Sequence, residues 1–187
     1  MVKLNKIYTR TGDSGTAGLV DGSRVSKAGL RMAAIGEVDE ANAAIGVAIA
    51  ALEPGVLSEF LLSVQNDLFD LGADIATPGE FSVGLRIVGS QVERLEAEID
   101  AMNAGLKPLQ SFILPGGSQA VASLHLARTV VRRAERAAAA LNASEPLNPQ
   151  LLAYLNRLSD LLFVAARYVA AVEGGDVLWQ PGATRDE

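Results

Sequence analysis

Apolar residues recur at helical intervals along most of this chain. In the clearest stretch, six of them follow one another at intervals of 4, 3, 4, 3 and 4: Leu57, Leu61, Val64, Leu68, Leu71 and Ile75. Residues at these intervals share one face of a helix, whereas a half-buried strand would show strict alternation. The pattern therefore predicts a helix with one face in a hydrophobic core.

One more helix is predicted before this one and another after it. Apolar residues at helical spacing run through residues 35–52 and stop at the helix-breaking sequence Glu53-Pro54-Gly55. Another apolar stripe covers residues 92–102 and follows Ser90 and Glu93, which have the spacing of a capping box.

The C-terminal half predicts two long helices. Residues 118–141 are rich in alanine and arginine and follow the breaker at 115–117. Asn148 and Pro149 are the residue types expected at an N-cap and at the first helical position, and an apolar stripe follows them up to residue 172.

Five long helices with short connections predict an all-α fold, an up-and-down bundle in one domain over residues 1–187. Residues 1–29 and 105–117 are predicted to be irregular. The last residues, from about 176 to 187, are predicted to form a loosely ordered tail.

Composition excludes several classes of enzyme. The 187 residues include no cysteine and one histidine, so disulfides, thiolate metal sites, cysteine nucleophiles and histidine clusters are excluded. A di-iron bundle needs Glu-x-x-His on two helices, so a chain whose one histidine is His125 is not expected to be one. His125 is expected to be a packed or capping side chain.

A net charge of −6 argues against general nucleic-acid binding. No stretch is apolar and long enough for a signal peptide or a membrane span, so a soluble cytoplasmic protein is expected.

The charge is distributed unevenly. Residues 1–31 contain six of the 16 basic residues and two of the 22 acidic residues, which gives this segment +4 and the rest −10. The basic residues are Lys3, Lys6, Arg10, Arg24, Lys27 and Arg31. A small anionic ligand fits such a segment, and a solvated basic terminus is the alternative.

Charged residues interrupt the apolar stripe of the fourth helix. Its members, at intervals of 3, 4, 3, 4 and 3, are Val121, Leu124, Arg128, Val131, Glu135 and Ala138. A charge at a core-like position needs a partner or a ligand. Arg132 and Arg136 lie one and two turns beyond Arg128, and stacked guanidinium groups suit a polyphosphate. Salt bridges between residues of this same helix, on a solvated face, are the alternative.

Two other features suggest nucleotide contacts. Asn156, in a polar row of the fifth helix, can read an adenine or ribose edge or satisfy the backbone of another helix. Residues 8–18 combine three glycines with three threonines, a composition that lets backbone N–H groups turn toward a phosphate. The segment matches neither the Walker A nor the dinucleotide-binding pattern, and an ordinary turn is the alternative.

Taken together, five collinear segments resemble the PduO-type ATP:corrinoid adenosyltransferases. They are residues 8–18, Gly-Glu-Val-Asp-Glu at 36–40, Phe-Ile-Leu-Pro-Gly-Gly at 112–117, ARTVVRRAER at 127–136 and LNRLSD at 155–160. The resemblance implies a helical bundle that assembles as a homotrimer with active sites at subunit interfaces. It implies transfer of the 5′-deoxyadenosyl group of ATP to the cobalt of a reduced corrinoid such as cob(I)alamin, with release of triphosphate. A corrinoid reductase or an enzyme that accepts the product is an expected partner. Binding to nucleic acid or to a membrane is not expected.

The resemblance also assigns residues to the site. Residues 1–29 would be the nucleotide-binding segment. Its ATP loop would comprise Thr9, Arg10, Thr11, Gly12, Asp13, Gly15 and Thr16, with Lys27 on the phosphates. ATP would also contact Arg132, Arg133, Glu135, Arg136 and Asn156. Phe112 would lie under the corrin ring, and Asp39 would pair with Arg128 across the interface. Mg²⁺ would enter with ATP, near Glu135, and not through a cage of protein ligands alone. Ala17 departs from the family, which commonly has a second hydroxyl residue there, so one loop hydrogen bond is expected to be missing or moved to Thr16.

This assignment fits the residue inventory. Cobalt(I) is a strong nucleophile, so the protein needs neither a nucleophilic side chain nor a base. It has to position the reactants, stabilise the leaving triphosphate and exclude water. An ATP-binding regulatory bundle without chemistry and a purely structural bundle are the alternatives.

Overall fold

The computed structural model describes residues 7–79 and 84–185, so Lys3, Lys6 and the terminal Asp186 and Glu187 lie outside the described residues. Five helices account for most of the described chain: α1 (Leu30–Ala51), α2 (Val56–Ile75), α3 (Gly89–Asn103), α4 (Gln119–Asn142) and α5 (Pro149–Val172). The five predicted helices and the helical fold class are thus confirmed.

The helices pack around one hydrophobic core. α1 lies against α2 and α4, α4 also packs on α5, and α5 packs on α3. The apolar stripe that predicts α2 is buried in this core, with Leu61, Val64, Leu71 and Ile75 fully inaccessible to solvent. Burial of such stripes is the main stabilising contribution in a bundle, because isolated helices of this length are marginal in water.

Side-chain caps fix where the last two helices begin. The Ser118 hydroxyl accepts a hydrogen bond from the Val121 backbone N–H at 3.3 Å, and Asn148 Oδ1 accepts from the Gln150 N–H at 3.1 Å. Pro149 stands at the first position of α5 as predicted, where a missing N–H costs nothing.

The predicted capping box of α3 is wrong. The helix begins at Gly89, before Ser90, and its N-cap residue is Val88. The Gln91 side chain, and not that of Glu93, accepts a hydrogen bond from the Val88 backbone N–H at 3.0 Å. A glutamine three residues after the N-cap satisfies this donor as well as a glutamate would.

The N-terminal segment is more regular than predicted. Strands β1 (Thr16–Gly18) and β2 (Arg24–Ser26) form an antiparallel hairpin, in which Ala17 faces Val25. Its turn is closed by a hydrogen bond from the Leu19 N–H to the Ser23 carbonyl at 2.9 Å, and Gly22 has a φ of 85°. The Val20 N–H donates to the Ala76 carbonyl at 3.0 Å, which ties the turn to the end of α2.

The C-terminal segment is hydrogen-bonded to the loop before α4. The Leu114 N–H donates to the Val177 carbonyl and the Trp179 N–H to the Phe112 carbonyl, both at 2.8 Å. Ile113 and Leu178 thereby form an antiparallel bridge. Within the tail predicted from about residue 176, the Val177 carbonyl and the Trp179 N–H are thus held by backbone hydrogen bonds to the loop before α4.

A buried polar cluster joins α2, α3 and α5. The Asp67 carboxylate accepts hydrogen bonds from the Tyr154 hydroxyl at 2.7 Å and from Gln91 Nε2 at 2.9 Å, and it forms an ion pair with Arg94. Burial, with the Asp67 charge beside it, raises the pKa of the Tyr154 hydroxyl well above its ordinary range.

Candidate active site

The glycine-rich loop brings a lysine against its own backbone. A Cβ atom placed on Gly12 would lie 3.0 Å from Lys27 Nζ and 3.3 Å from the Thr16 carbonyl oxygen, so a larger residue here would have to displace the lysine ammonium and shift the loop backbone slightly. Gly15 has a φ of 81° and Arg10 a φ of 61°, the left-handed region that non-glycine residues seldom adopt. Lys27 thus joins the predicted loop residues, and the tight approach explains why residue 12 is a glycine.

The loop hydroxyls are engaged in local hydrogen bonds. The hydroxyls of Thr9 and Thr11 lie 2.9 Å apart, and the Thr16 hydroxyl oxygen accepts from Arg24 Nη2 at 2.8 Å. Ala17 has no hydroxyl, and the expectation that its hydrogen bond is missing or moved to Thr16 stays a prediction.

A second group of predicted residues lies on α4 and α5. Asn156 Nδ2 donates to Glu135 Oε1 at 3.0 Å, which joins the two helices, and Arg136 Nη1 donates to the Arg132 carbonyl at 3.0 Å. Arg132 and Arg136 are exposed. Glu135 and Arg128 are half-buried, so the prediction that they occupy core positions is only partly correct.

Arg133 differs from its neighbours on α4. Its guanidinium contacts Glu37 Oε2 at 2.5 Å and also pairs with Glu40, both on α1. These two carboxylates raise the pKa of Arg133 further above its ordinary value. Within one chain its charge is compensated by two carboxylates of another helix, which disfavours the predicted contact of Arg133 with ATP.

An open cavity of about 750 Å³ lies between the loop before α4, the C-terminal segment and the helices α4 and α5. It is lined by Leu109, Gln110, Ser111, Phe112, Ile113, His125, Arg128, Phe163, Trp179 and Pro181. Phe112 is 77% exposed, and its ring centroid lies 6.0 Å from that of Trp179. The cavity is thus an aromatic and aliphatic pocket with Arg128 in its wall.

Two buried nitrogen atoms in this wall have no hydrogen-bond partner within the described part of the chain: His125 Nδ1 and Arg128 Nε. His125 is 3% exposed and packs on Phe163, with ring centroids 6.4 Å apart, which confirms its prediction as a packed side chain. Burial, and then the nearby Arg128 charge, lower the pKa of His125. The pKa of the Arg128 guanidinium is also lowered, chiefly by burial and next by the charge of Arg132.

The model of the cobalamin adenosyltransferase family matches residues 7–169. The chain belongs to this family. It is 53% identical over 190 residues to the corrinoid adenosyltransferase of Mycobacterium tuberculosis strain H37Rv, with 98% of this chain and 97% of that protein aligned. It is 46% identical over 183 residues to the corrinoid adenosyltransferase of Bacillus subtilis strain 168, with 95% and 94% aligned.

A solved structure has the same fold. A variant of the PduO-type ATP:corrinoid adenosyltransferase from Lactobacillus reuteri, complexed with cobalamin and ATP, superposes with a TM-score of 0.89 at 38% identity. The superposition covers 94% of this chain and 97% of that chain. The family indicated by the five sequence segments is therefore confirmed.

Asp39, the remaining residue that the family resemblance assigns, lies away from the cavity. It is exposed on α1, whereas its spacing from Ile35 predicts that it points partly inward. It lines a separate groove of about 340 Å³ between α1 and α2, beside Leu62 and Phe69. Asp39 thus does not share a pocket with Arg128 within one chain of this family member.

Sequence reasoning misses two aromatic residues of the cavity, Phe163 and Trp179. Phe163 lies on the same face of α5 as the polar residue Asn156. Its place in the cavity wall depends on how α5 packs on α4. Trp179 is the one tryptophan of the sequence and lies in a glycine-rich segment. A large aromatic side chain in such a segment indicates that the segment packs against the rest of the protein.

Two further properties concern metals and membranes. Within residues 7–79 and 84–185, no group of three or more histidine or carboxylate side chains could hold a metal ion. None of the helices described for this chain combines the length and apolar character that a membrane span requires.

Proposed function

We propose that this chain transfers the 5′-deoxyadenosyl group of ATP to the cobalt of a reduced corrinoid such as cob(I)alamin. The observation that supports this most is the open aromatic cavity lined by Phe112 and by Arg128 of α4, the helix that also carries the exposed Arg132 and Arg136. A flat, largely apolar ring system fits such walls, and a triphosphate fits exposed guanidinium groups.

The reaction needs no side-chain nucleophile. Cobalt(I) donates an electron pair that forms the bond to carbon 5′ of ATP, the bond from carbon 5′ to the ester oxygen breaks, and triphosphate leaves with the electrons of that broken bond. The protein holds the reactants in line and stabilises the charge on the leaving group. Phe112 against the lower face of the corrin excludes water and an axial ligand from the cobalt.

The nucleotide is held by two groups of residues. Residues 9–16 and Lys27 present backbone N–H groups and an ammonium to the phosphates. Arg132 and Arg136 bind phosphate oxygens, and Asn156 contacts the nucleoside. Mg²⁺ arrives with ATP, and the Glu135 carboxylate is the type of oxygen ligand that Mg²⁺ accepts.

A second copy of the chain completes each site, in a homotrimer with its active sites at the subunit interfaces. The separation of Asp39 from the Arg128 cavity supports this arrangement. Next to Asp39, Phe69 is 73% and Leu62 51% exposed, so the groove has the apolar surface of an interface. Asp39 of one subunit then faces Arg128 of its neighbour, and Arg128 gains an anionic partner.

The reaction is placed in the cytoplasm, where ATP is available and conditions are reducing. Cobalt has to be reduced before it reacts, so a corrinoid reductase is an expected partner. An enzyme that accepts the adenosylated corrinoid is another.

The test is to incubate the chain with ATP, Mg²⁺ and chemically reduced cobalamin and to follow the corrinoid absorbance. Conversion to the adenosylcorrinoid spectrum is expected. ATP binding without conversion would favour a regulatory bundle, and the absence of ATP binding would favour a structural one.

A further inference from the structure

Arg24 lies on β2 but makes its side-chain hydrogen bonds with the glycine-rich loop. Its Nη2 donates to the Thr11 carbonyl at 2.7 Å, to the Thr16 carbonyl at 3.1 Å and to Thr16 Oγ1 at 2.8 Å. Its Nε donates to the same Thr16 hydroxyl oxygen at 3.1 Å. One guanidinium therefore holds residues at both ends of the 11–16 loop.

This arrangement restrains the loop more than the hairpin alone does. Thr16 pairs with Ser26 in the hairpin, but Thr11 lies before β1 and outside that ladder. Within the loop, the N–H of the left-handed Gly15 donates to the Gly12 carbonyl at 3.1 Å, and the Gly15 carbonyl accepts from the Lys27 N–H at 2.8 Å; neither bond holds Thr11. A rigid fork that spans both ends lowers the entropy that the loop loses when it binds a ligand.

Arg24 also sets the direction of the Thr16 hydroxyl. The hydroxyl oxygen receives two N–H donors from the guanidinium, and those donors occupy its acceptor sites. The hydroxyl proton then remains available for donation to another group. Position 17, the neighbouring residue of β1, is an alanine and supplies no hydroxyl.

We propose that Arg24 is a positioning residue of the nucleotide site, which holds Thr11 and Thr16 so that the Thr16 hydroxyl and the loop N–H groups face a phosphate of ATP. This inference rests on the proposed function. Arg24 acts through the loop and not on the phosphate itself, since its Nε and Nη2 donors are turned toward the chain.

The experiment measures the affinity for Mg·ATP by isothermal titration calorimetry, without corrinoid, for the wild type and four variants. Arg24→Ala and Thr16→Val should each weaken ATP binding by about tenfold or more, because each removes charge-assisted hydrogen bonds that fix the loop. Arg24→Lys should not restore affinity, because an ammonium lacks the planar fork that spans both ends. Arg157→Ala, which removes an arginine paired with Glu96 and Asp160, is the charge-matched control and should bind ATP within about twofold of wild type.

Three further readouts separate positioning from a general loss of structure. The loss in the Arg24→Ala, Thr16→Val double variant should be well below the product of the two single losses, because the two residues act as one unit. Millimolar guanidinium should recover part of the ATP affinity of Arg24→Ala, since the site is exposed to solvent. The affinity of Arg24→Ala and of Thr16→Val for cobalamin should equal that of the wild type.

The inference is overturned if Arg24→Ala binds ATP within about twofold of wild type, or if the two losses multiply fully, which would mean that Arg24 contacts the phosphate independently. In either case the wild type still binds ATP and adenosylates the corrinoid. A wild type that binds no ATP overturns the proposed function together with this inference.

Discussion

Arg132 is exposed on α4 one turn beyond Arg128, and the account assigns it to the triphosphate. Arg132→Ala should raise KM for ATP and lower kcat together, because a phosphate-binding guanidinium acts in both the ground state and the transition state. A charged hydrogen bond contributes about 1.5–3 kcal/mol, which corresponds to a loss of roughly ten- to hundredfold in kcat/KM. Steady-state kinetics against ATP measure this, with Arg157→Ala as the control. Unchanged constants would place Arg132 on a solvated face with no role in the reaction.

His125 makes the stability of the protein depend on pH near neutrality. Its pKa is lowered from 6.5 in the folded state, chiefly by burial and next by Arg128, although Asp176 opposes this. The unfolded chain therefore binds more protons than the folded chain below about pH 6.5, so stability is full above that pH and falls as the pH drops toward the folded pKa. Urea midpoints of wild type and His125→Gln, measured from pH 7.5 to 5, should diverge in slope because the variant lacks this titration. Parallel slopes would contradict the assignment.

At the scale of elements, the Asp67 cluster joins α2, α3 and α5. Tyr154→Phe should destabilise the fold by about 1–3 kcal/mol, because a buried carboxylate loses a hydrogen bond without regaining water. Tyr168→Phe is the matched control, since Tyr168 lies on the same helix and is 49% exposed. Urea unfolding followed by circular dichroism compares the two. Equal midpoints would show that the Tyr154 hydroxyl does not stabilise the bundle.

Helices were predictable from the sequence because their periodicity extends over many turns, as the six-residue stripe of α2 illustrates. The hairpin was not, because β1 and β2 have three residues each and Thr-Ala-Gly is too short to show alternation. The pairing of Trp179 with Phe112 joins segments that are distant in sequence, so local patterns cannot reveal it.

The sequence indicates which side chains have the chemistry to bind a nucleotide. It does not show which way each of these side chains faces once the helices pack. Lys27 lies beside Gly12 of the loop and Asn156 is hydrogen-bonded to Glu135, while their contacts with ATP stay predictions. Arg133 has the same side chain as Arg132 one position earlier, but its orientation toward α1 places it beside Glu37 and Glu40. The arginine row alone cannot distinguish the two, because helix orientation in the bundle sets which guanidinium is free.

At the scale of the whole molecule, the proposed interfacial site predicts complementation between inactive subunits. Asp39→Asn and Arg128→Lys should each lose most activity as separate proteins, because each breaks the same pair in every site. In an equal mixture, about a quarter of head-to-tail interfaces combine an intact Asp39 with an intact Arg128, and that share of the wild-type activity should return. Light scattering checks that the mixed subunits form trimers. A mixture with no recovered activity would indicate that the two residues do not meet across an interface.

The central claim is adenosyl transfer with triphosphate as the leaving group, and product stoichiometry tests it most directly. The chain is incubated with ATP, Mg²⁺ and chemically reduced cobalamin, and both products are quantified by chromatography during one time course. The account predicts one triphosphate for each adenosylcorrinoid formed, with no accumulation of ADP. Release of ADP or phosphate without adenosylcorrinoid, or the absence of any product, would contradict it.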